Sequence, residues 1–204
     1  MNDETIDGRR ARGDRSRRAI LDEAVRIASV EGLEGLTLGK VAAAAGVAKS
    51  TLQVLFRDRE TLQAQTLETG VALFTDALIA RLAPAQSPLE RLRVLTEGWF
   101  DLVAHNELPG GCLVTAAADE YRVRPGALQT LILGHRNRWR DLLMATTHAA
   151  LAEGSLRPDV DPDQLVFEIM ALQTAANVAA GLDGPTDFDR ARRAVARLLA
   201  TATS

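Results

Sequence analysis

Residues 36–56, LTLGKVAAAAGVAKSTLQVLF, constrain the fold of this chain more than any other stretch. Two short segments with helical apolar spacing flank Gly46. A glycine at this place can adopt the left-handed conformation that ends one helix and turns the chain into the next. The alanines before Gly46 allow the two helices to approach closely. The stretch therefore predicts a helix-turn-helix, the unit that lays its second helix in the major groove of DNA.

The remainder of the chain shows helical apolar spacing and no strand-like alternation of useful length. Aromatic residues make up only 4% of the sequence, which favours close-packed helices over sheet. We therefore predict an all-α fold of about nine helices. A first helix, capped by Asp14 or Ser16, is expected to follow a polar arm and to end at Glu31. The later helices are predicted over residues 38–45, 49–56, 59–82, 88–105, 112–121, 125–152, 162–182 and 187–202.

A domain boundary is predicted after residue 58. Residues 1–58 are expected to form the N-terminal arm and a helix-turn-helix DNA-binding domain, whose three short helices bury a modest core. Residues 59–204 are expected to form a C-terminal helical bundle. This bundle is larger than the support of three helices requires, and a bundle of its size can enclose a ligand pocket.

Charge and cysteine content limit the partners and the compartment. The formal net charge of -3 argues against a general polyanion binder. Arginines are nevertheless concentrated just ahead of the first helix, at Arg9, Arg10, Arg12, Arg15, Arg17 and Arg18. Cys112 is the only cysteine, so no intrachain disulfide can form, which suits a reducing cytoplasm. No apolar run approaches the roughly 20 residues of a membrane span, and the N-terminus lacks a signal-peptide core. We expect a cytoplasmic protein without a membrane partner.

Positions 49, 50, 53 and 54 share one face of the third predicted helix, opposite Leu52 and Phe56. Lys49, Ser50 and Gln53 are therefore predicted to face the DNA groove, with Val54 against a thymine methyl group. In isolation these residues are more typical of a solvated helix face, but their place in the motif favours DNA contact. Phosphate contacts are predicted for Thr37 and Lys40, and backbone or minor-groove contacts for Arg15, Arg17 and Arg18.

A longer pattern surrounds the turn: Gly32, Thr37, Val41-Ala42, Ala45-Gly46-Val47, Thr51-Leu52, Phe56, Arg59-Glu60 and Leu62. This pattern resembles the tetracycline-repressor (TetR) family of transcriptional regulators, most specifically over residues 15–62. The resemblance implies phosphate contacts by Thr51 and Arg59, although a local capping role explains Thr51 equally well. It also implies a homodimer that binds double-stranded DNA at an inverted repeat, and a repressor that an unidentified small-molecule effector releases. The sequence does not distinguish a repressor from an activator.

Two residues depart from the family pattern. Ala48 stands where a serine usually caps the third helix, which removes a side-chain cap typically worth about 1 kcal/mol. Gln53 stands where a tyrosine usually contacts phosphate, although its amide can donate to phosphate or read adenine. Both departures bear on operator sequence and affinity rather than on fold.

The resemblance places the dimer contact on the last two long helices. Small and apolar residues on these helices are predicted to form the interface: Leu165, Ile169, Leu172, Ala176, Ala179, Val195, Leu198 and Leu199. Large or polar residues on the bundle helices are candidates for the pocket: Trp99, Leu102, His105, Cys112, Tyr121, Trp139, Met144, Phe167 and Gln173. Cys112 is a redox-sensor candidate, but a lone cysteine is more often an inert small apolar residue. No cofactor is predicted, and His105, His135 and His148 lack metal-ligand spacing.

Two other classes of function compete with DNA-dependent regulation. Asp119, Glu120 and Tyr121 suggest a helical enzyme, but no nucleophile, metal or phosphate-loop motif accompanies them. We therefore predict that the protein is not an enzyme. The second alternative is a ligand-binding or partner-docking module with weak or lost DNA binding, which is suggested by Ala48, Gln53, Val54 and Leu55.

Overall fold

The computed structural model describes residues 3–104, 110–182 and 184–203, with side chains from residue 13 onward. The all-α prediction is confirmed: the described ranges contain nine α-helices, one short 3-10 turn and no strand. The predicted pocket residue His105 lies outside the described residues. The helices are α1 (Asp3–Glu31), α2 (Leu38–Ala44), α3 (Lys49–Phe56), α4 (Arg59–Leu82), α5 (Pro88–Ala104), α6 (Leu113–Glu120), α7 (Ala127–Ala152), α8 (Pro162–Gly181) and α9 (Pro185–Ala202), and the 3-10 turn is Leu33–Gly35.

The first helix begins earlier than the sequence predicts. In place of a cap at Asp14 or Ser16, α1 already starts at Asp3 and passes through both residues. Once a helix has nucleated, each further residue adds one hydrogen bond, and arginine is a good helix former. The arginine-rich segment therefore continues the helix instead of preceding it. None of the helices among the described residues is long and apolar enough to cross a membrane.

The helix-turn-helix forms from local signals. Thr37 is extended, and its hydroxyl oxygen accepts a hydrogen bond from the Lys40 amide at 3.1 Å, which caps α2. Gly46 has φ +66°, and the Val47 amide donates back to the Ala42 carbonyl at 3.0 Å. This left-handed glycine ends α2 and redirects the chain into α3, as predicted. Asp58 then caps α4 by accepting a hydrogen bond from the Thr61 amide at 2.8 Å.

Two apolar clusters fill the molecule, and we call them the head core and the bundle core. The head core joins α1, α2 and α3 to the first half of α4, to α6 and to the start of α7. The bundle core joins α5, α8 and α9 with the rest of α4 and α7. Helices α1 and α3 therefore pack on α4, and α1 also contacts α6. Leu113 and Ala117 of α6, and Tyr121 just after it, belong to the head core.

Candidate nucleic-acid interface and ligand cavity

The outer face of α3 consists of the residues predicted to read DNA. Lys49, Ser50 and Gln53 are exposed, and Val54 is 82% exposed. On the opposite face Leu52 and Phe56 are completely buried in the head core. Since α3 is anchored by that apolar face, its polar face is held outward as a rigid unit. The contact of these four residues with DNA remains a prediction.

The predicted phosphate contacts near α2 are also at the surface. Thr37 and Lys40 are exposed, as is Thr51 on α3. The hydroxyl of Thr37 is engaged as the helix cap, and the Lys40 ammonium pairs with the Glu31 carboxylate. This ion pair joins two exposed side chains and is therefore weak enough to exchange for a phosphate.

The arginines of α1 differ in position. Arg15 and Arg18 are exposed. Arg17 folds back against the helix-turn-helix: it donates to Gln65 Oε1 at 2.5 Å, and its guanidinium lies 5.1 Å from the centre of the Phe56 ring. This packing over an aromatic face stabilises the junction of α1, α3 and α4.

Arg59 is bound within the protein. Its Nε donates to the Leu36 carbonyl at 2.7 Å, and its Nη2 donates to the Glu34 carbonyl and to Glu34 Oε2. The residue predicted to contact phosphate therefore also ties the start of α4 to the 3-10 turn. Sequence reasoning missed this second role because Glu34 lies 25 positions away in the chain.

A polar cluster joins that turn to the end of α6. The Glu120 carboxylate accepts hydrogen bonds from the amides of Leu33 and Glu34, both at 2.9 Å. The Tyr121 hydroxyl donates to the Glu34 carboxylate, and Arg124 pairs with the same carboxylate at 3.2 Å. The hydrogen bond from Tyr121 and the nearby Arg59 and Arg124 lower the pKa of Glu34, against the opposing effect of burial. Glu34 is therefore ionised at neutral pH.

This cluster places Glu120 and Tyr121 in structural contacts between α6 and the 3-10 turn. Burial and the Glu34 carboxylate raise the pKa of Tyr121, so its phenol stays protonated and acts as a donor. Nothing in the sequence pattern indicated this arrangement, because Leu33 and Glu120 are separated by 87 positions.

A cavity of about 340 Å³ lies between α4, α5, α6, α7 and α8, within the size range of small-molecule sites. Its apolar walls include Phe74, Leu142 and Met170. Several predicted pocket residues line it, namely Trp99, Cys112, Trp139 and Gln173.

Other predicted pocket residues do not line this cavity. Leu102 and Met144 pack against the bundle core instead. Tyr121 is buried in the head core, where its hydroxyl reaches Glu34. Phe167 is 67% exposed on the outer surface of α8. These predictions are corrected because residue size and helical spacing do not indicate which of several neighbouring helices a side chain faces.

The most buried polar groups of the cavity are Gln173, which is 3% exposed, and His135, which is 7% exposed. The indole Nε1 of Trp139 donates to Gln173 Oε1 at 3.0 Å. Among the described residues, neither Gln173 Nε2 nor His135 Nε2 has a hydrogen-bond partner, although Glu68 Oε2 lies 3.4 Å from the imidazole. Burial lowers the pKa of His135, which is therefore neutral at neutral pH. Sequence reasoning did not include His135 in the pocket.

The predicted dimer residues are mostly internal. Leu165, Ile169, Ala176, Ala179, Val195 and Leu199 are buried in the bundle core, where α8 and α9 pack on each other. Their side chains therefore face their own chain rather than a partner. Leu172 and Leu198 are partly buried against the same core. The prediction for the buried six is corrected because α8 has apolar residues on both faces, so spacing alone does not identify the outward one.

Two family models match the chain, over separate ranges. Residues 20–65 match the family model described as bacterial regulatory proteins, tetR family. Residues 88–195 match the model described as tetracyclin repressor-like, C-terminal domain.

Individual relatives agree with these matches. The HTH-type transcriptional repressor KstR2 of Mycolicibacterium smegmatis is 29% identical over 170 residues, which cover 77% of each protein. A TetR transcriptional regulator from Chloroflexus aurantiacus shares the fold with a TM-score of 0.86 at 21% identity, over 95% of this chain and 98% of the other. AibR, crystallised with isovaleryl coenzyme A and operator DNA, has a TM-score of 0.66 at 25% identity, over 79% and 85% of the two chains.

Proposed function

Because this chain belongs to the TetR family of bacterial regulatory proteins, we propose that it represses transcription as a homodimer that an effector molecule releases from an inverted-repeat operator. Family membership makes it a DNA-binding transcriptional regulator and favours a role without catalysis. We further propose that residues 1–58 supply the DNA-binding domain and residues 59–204 the effector and dimer domain.

The observation that carries the proposal is the outer face of α3. Lys49, Ser50, Gln53 and Val54 are all exposed, while Leu52 and Phe56 fix the helix from behind. This arrangement presents donors, acceptors and one methyl-contacting side chain on a single helix face. Those are the groups that distinguish base pairs in the major groove.

The cavity supports the effector part of the proposal. The first residues of α6 and the preceding Cys112 line the cavity, and Glu120 at the end of α6 holds the 3-10 turn of the DNA-binding domain. A molecule that binds more tightly to one position of α6 would shift the position of the helix-turn-helix, and DNA release would follow from that difference in affinity. The structure of AibR contains both isovaleryl coenzyme A and operator DNA, which supports a chain that binds a small molecule as well as DNA.

An exposed apolar stripe on α8 supports the homodimer. Phe167 is 67% exposed, Val178 57% and Leu182 77%, and the exposed Ala171 and Ala175 lie between them. Their spacing puts all five on one face of the helix. We propose that a second copy of the chain covers this stripe, so that two α3 helices reach successive major grooves about 34–36 Å apart.

Selection of bound fragments from a random duplex pool tests the proposal. With the purified full chain at moderate salt, we expect recovery of an inverted repeat. Recovery of a single half-site would contradict the dimer, and recovery of no sequence above background would contradict specific DNA binding.

Substitutions on α3 then test which residues read the operator. Gln53→Ala is expected to weaken operator binding by roughly 5- to 150-fold and to relax selectivity at one base pair, because a good base contact is worth about 1–3 kcal/mol. Lys49→Ala is expected to weaken binding as well. Arg93→Ala is the control, because it also removes one positive charge, but from an exposed position on α5. It should leave the affinity for the operator unchanged. Equal affinity of all variants in a gel-shift titration would show that α3 is not the reader.

A further inference from the structure

The orientation of the Gln173 amide is fixed by its neighbour. An indole N–H is a donor and has no acceptor site. Because the Trp139 Nε1 donates to Gln173 at 3.0 Å, the amide oxygen must face the indole. The Gln173 Nε2 group, with its two donor hydrogens, is then left for the cavity. It has no acceptor among the described residues, and the residue is only 3% exposed.

A buried donor that lacks an acceptor destabilises the folded protein. This penalty in free energy can equal the net contribution of several ordinary hydrogen bonds. Because Gln173 is buried so deeply, the acceptor is expected to come from a molecule that occupies the cavity. The site therefore selects for an oxygen or similar acceptor atom at one defined point of its wall.

The charge of the lining indicates an uncharged occupant. The ionisable residues Glu68 and Arg138 are exposed, and Arg136 is half-buried. The deeply buried polar residues, Gln173 and His135, are neutral, since burial lowers the pKa of the imidazole. A charge placed beside Gln173 would be desolvated without an opposite charge at that depth.

The remaining walls are apolar and partly aromatic. Phe74, Trp99, Trp139, Leu142 and Met170 line the cavity, and its volume of about 340 Å³ is at the small end of ligand sites. Such walls favour a compact apolar skeleton.

We propose that this cavity binds a compact, largely apolar, uncharged molecule whose carbonyl oxygen accepts a hydrogen bond from Gln173 Nε2. The proposal rests on the proposed function only in treating the cavity as the effector site. It assigns Gln173 as the residue that selects the effector, with Trp139 as the positioning residue that orients its amide.

Four probes with closely related phenyl-alkyl skeletons test the ligand class by titration calorimetry on the full chain. They are propiophenone, n-propylbenzene, protonated 3-phenylpropylamine and 3-phenylpropionate. We expect propiophenone to bind about tenfold more tightly than n-propylbenzene, because it alone of this pair satisfies the buried donor. Both tryptophans of the chain line the cavity, so a change in tryptophan emission on titration with n-propylbenzene locates that probe there, and competition with propiophenone locates the ketone at the same site.

Gln173→Met tests the residue itself, since it keeps the length of the side chain and removes the donor. In this variant propiophenone and n-propylbenzene should bind with about equal affinity. Gln164→Met is the matched control, because Gln164 is exposed on the same helix and its side-chain amide donates to Glu168 Oε1 outside the cavity. It should retain the preference of the unmodified protein.

Several outcomes would overturn the proposal: no binding of propiophenone, equal affinity for propiophenone and n-propylbenzene, tightest binding of either charged probe, or an undiminished preference in a folded Gln173→Met variant. The probe comparison on the unmodified protein decides the matter even where the variant fails to fold. Operator selection is independent of these titrations, so failure of DNA binding and failure of the ligand class are distinguished.

Discussion

Single side chains decide how the DNA-binding helices are attached to the bundle. The first amides of the 3-10 turn need acceptors, and the Glu120 carboxylate supplies both from the end of α6. Gly32, just ahead of the turn, has φ +74° and leaves the space that this carboxylate occupies. A Cβ atom on Gly32 would lie 2.7 Å from Glu120 Oε1.

The Gly32→Ala substitution is therefore expected to lower the free energy of unfolding by more than backbone strain alone would. Gly154→Ala is the control, because Gly154 has φ +80° and a Cβ atom added there would meet no atom within 4 Å. The control should lose about 1–2 kcal/mol of unfolding free energy from the left-handed conformation. Gly32→Ala should lose more, because it also displaces the carboxylate. Urea unfolding measures both, and equal losses would show that Glu120 moves aside without cost.

At the level of whole helices, the N-terminal ends of α2, α3 and α4 differ in whether a side chain caps them. Thr37 and Asp58 cap α2 and α4 with side-chain oxygens. Ala48 occupies the same position at the start of α3, in the extended conformation suited to a cap, but it has no side-chain acceptor. Helix α3 therefore begins without a hydrogen bond that its neighbours have.

Ala48→Ser is expected to stabilise the protein. A serine hydroxyl at this position can accept from the first amides of α3, a contribution of about 1 kcal/mol. For a chain of this length, that corresponds to a rise of roughly 2–4 °C in Tm. Ala43→Ser, at an exposed position inside α2, is the control and should lower Tm slightly, because serine is a poorer helix former than alanine. A thermal scan in which Ala48→Ser does not raise Tm would contradict the conclusion that α3 lacks a stabilising cap.

At the scale of the whole molecule, one face of α8 is exposed among the described residues. Phe167, Val178 and Leu182 project from the side of α8 opposite the bundle core. In a protein that reads an inverted repeat, this stripe is where we place the second copy.

A matched pair of substitutions tests that placement. Val178 on α8 and Ile79 on α4 are both β-branched and both 57% exposed. Val178→Glu should convert a dimer to monomer and weaken operator binding, because an unpaired carboxylate is costly to bury at an interface. Ile79→Glu should leave the assembly intact. Sedimentation velocity distinguishes the species; a dimer unaffected by Val178→Glu would place the interface elsewhere, and a monomeric unmodified protein would contradict the homodimer.

The sequence by itself determined the helices and the outward face of α3. These features depend on neighbours within a few positions: Gly46 ends α2 because of its own backbone freedom, and Leu52 and Phe56 face inward because they share one helical face. The same local logic did not locate the start of α1, since no proline in that segment stops a growing helix.

Only the tertiary structure decided which apolar residues meet one another. On α8, Ile169 and Phe167 are both apolar, yet one is completely buried and the other 67% exposed. Helical spacing describes a single helix, whereas burial depends on which neighbours pack against each face. The same holds for Gln173 and for Glu120, whose partners lie 34 and 87 positions away in the chain. Contacts over such separations are made by the packing of whole helices, and no local pattern encodes them.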